Sequence, residues 1–245
     1  MRLWKSWIIT KKDLAVMRRR KAPMAITIGF PVAIGAALPL VLYTLMIRKG
    51  FSAATDSNLI SAFGFFFVLI AAFVPLYISS YSIIGEKVEK SLEPLLSTPT
   101  TDGEILVGKY LGTLIPALLS VYLGTAIYMA LMDALTRDSF GYLYFPNSSF
   151  TILLLTAVPL SATYAVTLSV FISSKFSNVM SAYQMGGMTL VPFLALYVLG
   201  EIGLVKLQDT TTVLLIAVAL LIITLIVYVI SRATFGREKI LTEWK

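Results

Sequence analysis

Three patterns in this chain have the residue types for chemistry. The run Gly103-x-x-x-x-Gly108-Lys109 fits most of a phosphate-binding loop, in which glycine amides cradle phosphate and the lysine reaches it. The next residue is Tyr110, where a Ser or Thr must hold magnesium. A charge-free apolar run follows at once, and no strand precedes it, so nucleotide binding is not expected there. The second pattern is the acidic series Glu86, Glu89, Glu93, Asp102 and Glu104, interleaved with Lys87, Lys90 and Lys109. The third is Asn147-Ser148-Ser149, a glycosylation acceptor sequence. The chain has no Cys and no His. Their absence removes disulfides, thiolate metal sites, cysteine nucleophiles and imidazole bases together. With no carboxylate cluster at a membrane boundary, no enzyme reaction suggests itself.

The elements that must position these residues are membrane spans. The composition is 58% hydrophobic and 13% charged, against about half and a quarter in a soluble domain. Six charge-free runs are long enough, at roughly 20 residues, to cross the hydrocarbon as helices: 22–47, 59–84, 110–132, 150–173, 179–200 and 211–231. The runs are continuous rather than alternating, which selects helices over barrel strands. The expected fold is all-α: one transmembrane domain with an N-terminal surface helix (1–21), a cytoplasmic loop (85–109) and a tail (232–245). Sixteen Lys and Arg flank one side of the spans and four the other, which places both termini in the cytoplasm. The basic start runs to Lys21, and the apolar stretch after it is too long for a cleavable signal.

The N-terminal helix has Trp4, Trp7, Ile8, Leu14 and Ala15 on one side and Lys5, Lys12 and Arg19 away from them. Ile9 and Val16 stray into the polar side. The pattern suits the lipid headgroup layer, with Arg18, Arg19, Arg20 and Lys21 against anionic lipid rather than nucleic acid.

In the cytoplasmic loop Val88, Leu92, Leu95 and Leu96 recur at helical spacing, and Pro94 predicts a break near Glu93. Thr101-x-x-Glu104 has capping-box spacing, so a second helix is expected to start there and run into the third span. By spacing alone this loop fits a docking surface for a soluble partner and an ordinary connector equally well.

Within the spans the polar side chains are few and neutral. Ser79, Ser80 and Tyr81 close the second run, and Tyr183 and Gln184 open the fifth. Structural hydrogen bonding is the favoured use; if a path crosses the chain, these are the candidates for its lining. Pro31, Pro39, Pro75, Pro116, Pro159 and Pro192 lie within or at the ends of runs, as ordinary membrane-helix prolines or as hinges. The aromatic stretch Phe140–Phe145 is expected at the outer interface.

The stretch from Gly85 to Lys109, GEKVEKSLEPLLSTPTTDGEILVGK, resembles the coupling loop of type-2 ATP-binding-cassette permeases. That family has a Glu/Lys-rich start, then Ser/Thr-Leu-Glu-x-Leu-Leu, then Thr-Pro, then Gly-Lys. Residues 11–20 are similar to its surface helix. Ile172–Lys175, with Gln184, Gly186, Gly187 and Pro192, is similar to its junction between spans four and five. The resemblance implies the permease subunit of an ATP-driven exporter in a prokaryotic cell membrane. It implies two permease chains, identical or homologous, over two ATPase subunits that hold ATP and magnesium, with no cofactor in this chain. It implies ATPase contact through Glu86, Glu89, Leu92, Glu93, Leu95 and Leu96, and spans two and five near the centre. An ion-coupled secondary transporter lacks the intramembrane charge that it usually needs. A non-transporting assembly or regulatory factor stays open from the residues alone.

Overall fold

The computed structural model describes residues 3–49, 53–88, 100–175, 179–188, 190–202, 204–207 and 209–234. Among these residues there is no strand. The helices are α1 (Leu3–Arg19), α2 (Lys21–Lys49), α3 (Ala53–Val88), α4 (Asp102–Phe140), α5 (Ser148–Ile152), α6 (Val158–Lys175), α7 (Val179–Met188), α8 (Val191–Glu201) and α9 (Thr210–Thr234). A π-helical turn, Leu153–Ala157, joins α5 to α6.

Among the described residues, five stretches are long and apolar enough to cross a membrane: Lys21–Met46, Leu59–Ser79, Asp102–Asp138, Ser148–Ile172 and Thr210–Ser231. They match five of the six expected runs. The run 179–200 is divided, because α7 and α8 have 10 and 11 residues and meet beside Leu190. At 1.5 Å per residue neither spans about 30 Å alone. Pro192 explains the break. It has no N–H to give, and its ring crowds the carbonyl four residues back, on Met188, the last residue of α7.

The centre of the bundle is α3. It packs most extensively on α6 and also touches α2, α4, α7 and α8. Of its apolar stretch 78% is buried, against 22% for that of α9. Phe65, Phe67, Val68, Ile70, Ala71 and Val74 carry this core. Tyr128 of α4 is fully buried beside them, its hydroxyl donating to Ile60 O at 2.9 Å.

The segment after α4 departs from the expected interfacial belt. Tyr142 and Leu143 are exposed, but Tyr144 and Phe145 turn into the core. Phe145 N donates to Asp133 Oδ1 at 2.9 Å, and its ring lies among Tyr128, Tyr144 and Phe150. Ser61 and the Tyr144 hydroxyl are 2.8 Å apart. Burial raises the Tyr144 phenol above its ordinary pKa, with the Ser61 bond working against it. The Asn147 side chain caps α5, accepting from Phe150 N at 2.8 Å.

Candidate coupling end and intramembrane path

The start of α4 is the structured flank of the loop singled out in the sequence. The capping box forms there. Glu104 N donates to Thr101 Oγ1 at 3.3 Å, and Thr101 N donates to Glu104 Oε2 at 3.0 Å. The two residues bind each other's amides within one turn, the Glu104 amide also reaching Thr101 O at 3.0 Å, and the helix begins at Asp102, well before the apolar run. The phosphate-loop-like run from Gly103 to Lys109 lies wholly inside this helix, where its amides from Ile105 onward are committed to helical bonds.

Helix α1 docks along this turn through small residues. A methyl group built on Gly108 would fall 2.7 Å from Ile9 Cβ, and one on Gly112 would fall 3.0 Å from Asp13 Cβ. The spacing Gly108-x-x-x-Gly112 thus lets the two backbones approach closely. The Thr10 hydroxyl lies 3.0 Å from both Ser6 O and Gly108 O and shares its proton between them. Lys109 Nζ sits 3.9 Å from Asp13 Oδ2, with the Lys109 side chain only 2% exposed.

This docking corrects the expected polar side of α1. Ile9, read as straying into the polar side, is buried with Ser6 and Thr10 against α4. Trp4, Trp7 and Ile8 face outward, 60%, 46% and 53% exposed. Close approach needs small side chains, so the bulky aromatic stripe is excluded from the contact. Lys11 lies over the Trp7 ring at 5.9 Å.

The predicted contact residues are placed as follows. Glu86 lies on the last turns of α3, with only its backbone described; Glu89, Leu92, Glu93, Leu95 and Leu96 lie outside the described residues, as does the break expected near Glu93. Among the path candidates, Ser79 is fully buried on α3, and its hydroxyl has no hydrogen-bond partner among the described residues. Ser80 and Tyr81 follow it on the α3 backbone, and Tyr183 lies on that of α7. Gln184 is exposed. The structure brings the two carrier helices together, since α7 packs on α3. Ser79 and Gln184 do not share one surface.

Most other intramembrane hydroxyls serve their own helix. Thr113, Thr125, Thr136, Thr163, Thr167 and Thr224 each donate to the carbonyl four residues back. This agrees with the structural use of polar groups in spans. One bond crosses helices with a clear cause. In the π register of Leu153–Ala157, Leu154 O would accept from residue 159, but Pro159 has no N–H. Tyr122 on α4 supplies the missing donor, its hydroxyl 3.0 Å from Leu154 O.

Two other features escaped the sequence reading. One is the Lys109–Asp13 pair, for which Gly108-x-x-x-Gly112 was the available signal. The other is the crossing of α2 and α4 at Gly35 and Gly124, where a methyl on Gly35 would fall 2.2 Å from Gly124 O.

Helices of membrane-crossing length, packed about a buried central helix with one short helix clipped to the side, define a multi-pass α-helical membrane protein. The family profile described as ABC-2 family transporter protein matches residues 7–214. The chain therefore belongs to the ABC-2 family of transporter proteins. No curated protein matches it in sequence. Membership makes the chain a membrane transport component of the permease type, in a transporter with a partner ATPase. Such permeases are generally not catalytic themselves.

Proposed function

We propose that this chain is the permease subunit of an ATP-driven exporter, two copies or two homologues of it standing over two ATPase subunits. The family match across residues 7–214 of a chain with five membrane-length helices carries the reading. ATP and magnesium belong to the partner, which docks on the cytoplasmic segment between α3 and α4. Leu92, Leu95 and Leu96 fill an apolar groove on it, and Glu86, Glu89 and Glu93 meet basic residues around that groove. This segment joins the central helix α3 to α4, and α4 carries α1 with it. A push there has two stiff helices to act on, and the candidate path residues, enclosed Ser79 and exposed Gln184 with Ser80, Tyr81 and Tyr183, lie on α3 and its neighbour α7.

The test is gentle extraction of the tagged chain from its native membrane, with identification and stoichiometry of what co-purifies. One ATPase per permease chain is the expected result. A clean oligomer without ATPase, under extraction that keeps such complexes intact, overturns the proposal in favour of an assembly or regulatory role. Glu93→Lys should uncouple transport while leaving membrane insertion intact, and Leu95→Asp should release the ATPase.

A further inference from the structure

Helix α4 is gripped twice by close glycine crossings. Near its start α1 lies against Gly108 and Gly112, and further along α2 lies against Gly124. Only Arg20 separates the end of α1 from the start of α2. The three helices are therefore pinned at Gly112, at Gly124 and at the α1–α2 corner, and between these points they must diverge. The gap is a groove of about 260 Å³. Its walls are almost wholly apolar, with Met17, Met24, Ile28, Leu119 and Leu123 among the lining and Arg18 beside them.

We propose that this groove holds one acyl chain of an anionic phospholipid, with the headgroup phosphate on Arg18. Dimensions, charge and surroundings support the assignment. From Pro116 to Leu123, the first and last lining residues on α4, the helix rises about 10 Å, roughly two-thirds of one leaflet of a hydrocarbon core about 30 Å thick. Among the described residues Arg18 is the only charged side chain in the lining, and its chain neighbours Arg19 and Lys21 are exposed, so a phosphate suits the groove at Arg18. Leu119 and Leu123 are 66% and 49% exposed, which makes the groove continuous with the lipid-facing surface. A bound lipid would fill the space between α1, α2 and α4 and hold the N-terminal helix at a fixed angle. The assignment needs only the membrane setting and is independent of the transport reading.

The probe is a mixed bilayer of phosphatidylcholine and phosphatidylglycerol. The full chain is reconstituted, released into mild detergent and weighed by native mass spectrometry. The wild type should retain one phosphatidylglycerol per chain in preference to phosphatidylcholine. Arg18→Gln should lower that preference roughly five-fold, the value of one cation at an anionic surface. Arg19→Gln, outside the lining, should leave it nearly unchanged. Leu119→Trp should lose both lipids, because the indole fills the groove from an exposed position that folding tolerates. Unaltered melting of each variant shows that the fold is intact. Equal losses in Arg18→Gln and Arg19→Gln would reduce the effect to diffuse surface charge and overturn the site. So would wild-type lipid retention in Leu119→Trp, or retention of the neutral lipid alone.

Discussion

The crossing of α2 and α4 allows a quantitative test. A Cβ on Gly35 would lie 2.2 Å from Gly124 O and 2.9 Å from Gly124 C. A Cβ on Gly124 would lie 2.4 Å from Pro31 O. Both obstacles are backbone atoms, which cannot rotate away as a side chain can. Ordinary contact begins near 3.4 Å, so Gly35→Ala must drive the helices apart by about 1.2 Å, the difference between 3.4 and 2.2 Å. A gap of 0.5–1 Å already forfeits a quarter to a half of each dispersion contact across the crossing. Overpacking of this kind costs about 1–3 kcal/mol, and a clash with main chain belongs at the upper end. At roughly 2–4 °C per kcal/mol for a chain of this length, the apparent melting temperature should fall by about 6–12 °C. Gly29 supplies the control, since nothing lies within 4 Å of its added Cβ on the same helix. There Ala should be neutral or stabilising by up to about 1 kcal/mol, through reduced backbone entropy. Gly124→Ala should behave like Gly35→Ala. The double variant should cost less than the sum, because one separation accommodates both methyl groups. The assay is thermal melting in detergent or in nanodiscs, with membrane insertion checked separately. If Gly35→Ala melts with Gly29→Ala, or if the double variant is strictly additive, the close-crossing argument is wrong.

Tyr122→Phe should cost about 0.6–1.7 kcal/mol by orphaning Leu154 O, and less in a Pro159→Ala background, where a backbone N–H returns; equal costs in both backgrounds would refute the compensation. For Lys109 and Asp13, a double-mutant cycle of Lys109→Met and Asp13→Asn should show a coupling of about 1 kcal/mol or more in melting, with faster proteolysis of residues 1–21 in each single variant; independent effects would remove the clip. Thr101→Ala should cost about 1 kcal/mol and raise amide exchange over the first turn of α4, and unchanged exchange there would show the capping box to be dispensable.

Much of this architecture was readable from residues because a bilayer punishes charge so heavily. The runs 22–47, 59–84, 110–132, 150–173 and 211–231 each lie on a membrane-length stretch, and the helix start at Thr101 was written in four residues. The inward turn of Tyr144 and Phe145 was not readable, because the same aromatic composition serves a lipid interface and a core. The buried side of α1, with Ser6, Ile9 and Thr10, was misread for a related reason. Its contact with α4 selects small side chains, and hydrophobic periodicity reports large ones. Of the candidate residues, Glu86, Ser79, Ser80, Tyr81, Tyr183 and Gln184 fall on helices, but the sequence could not tell that Ser79 is buried and Gln184 exposed.

By itself the sequence determined the solvent in which this protein folds, the helical form of its spans and the absence of Cys and His chemistry. Each follows from composition and from the cost of unpaired polar groups in hydrocarbon. Only the tertiary structure decided which helix is central. The apolar stretch of α9 is the most hydropathic of the five and stays mostly exposed, while that of α3 is mostly enclosed. In lipid, greasiness does not drive a helix inward, because the acyl chains are as apolar as leucine. Close approaches at Gly35 with Gly124 and at Gly108 with Ile9 set how α1 and α2 lie against α4. Those pairings join residues far apart in the chain, and no local pattern announces them.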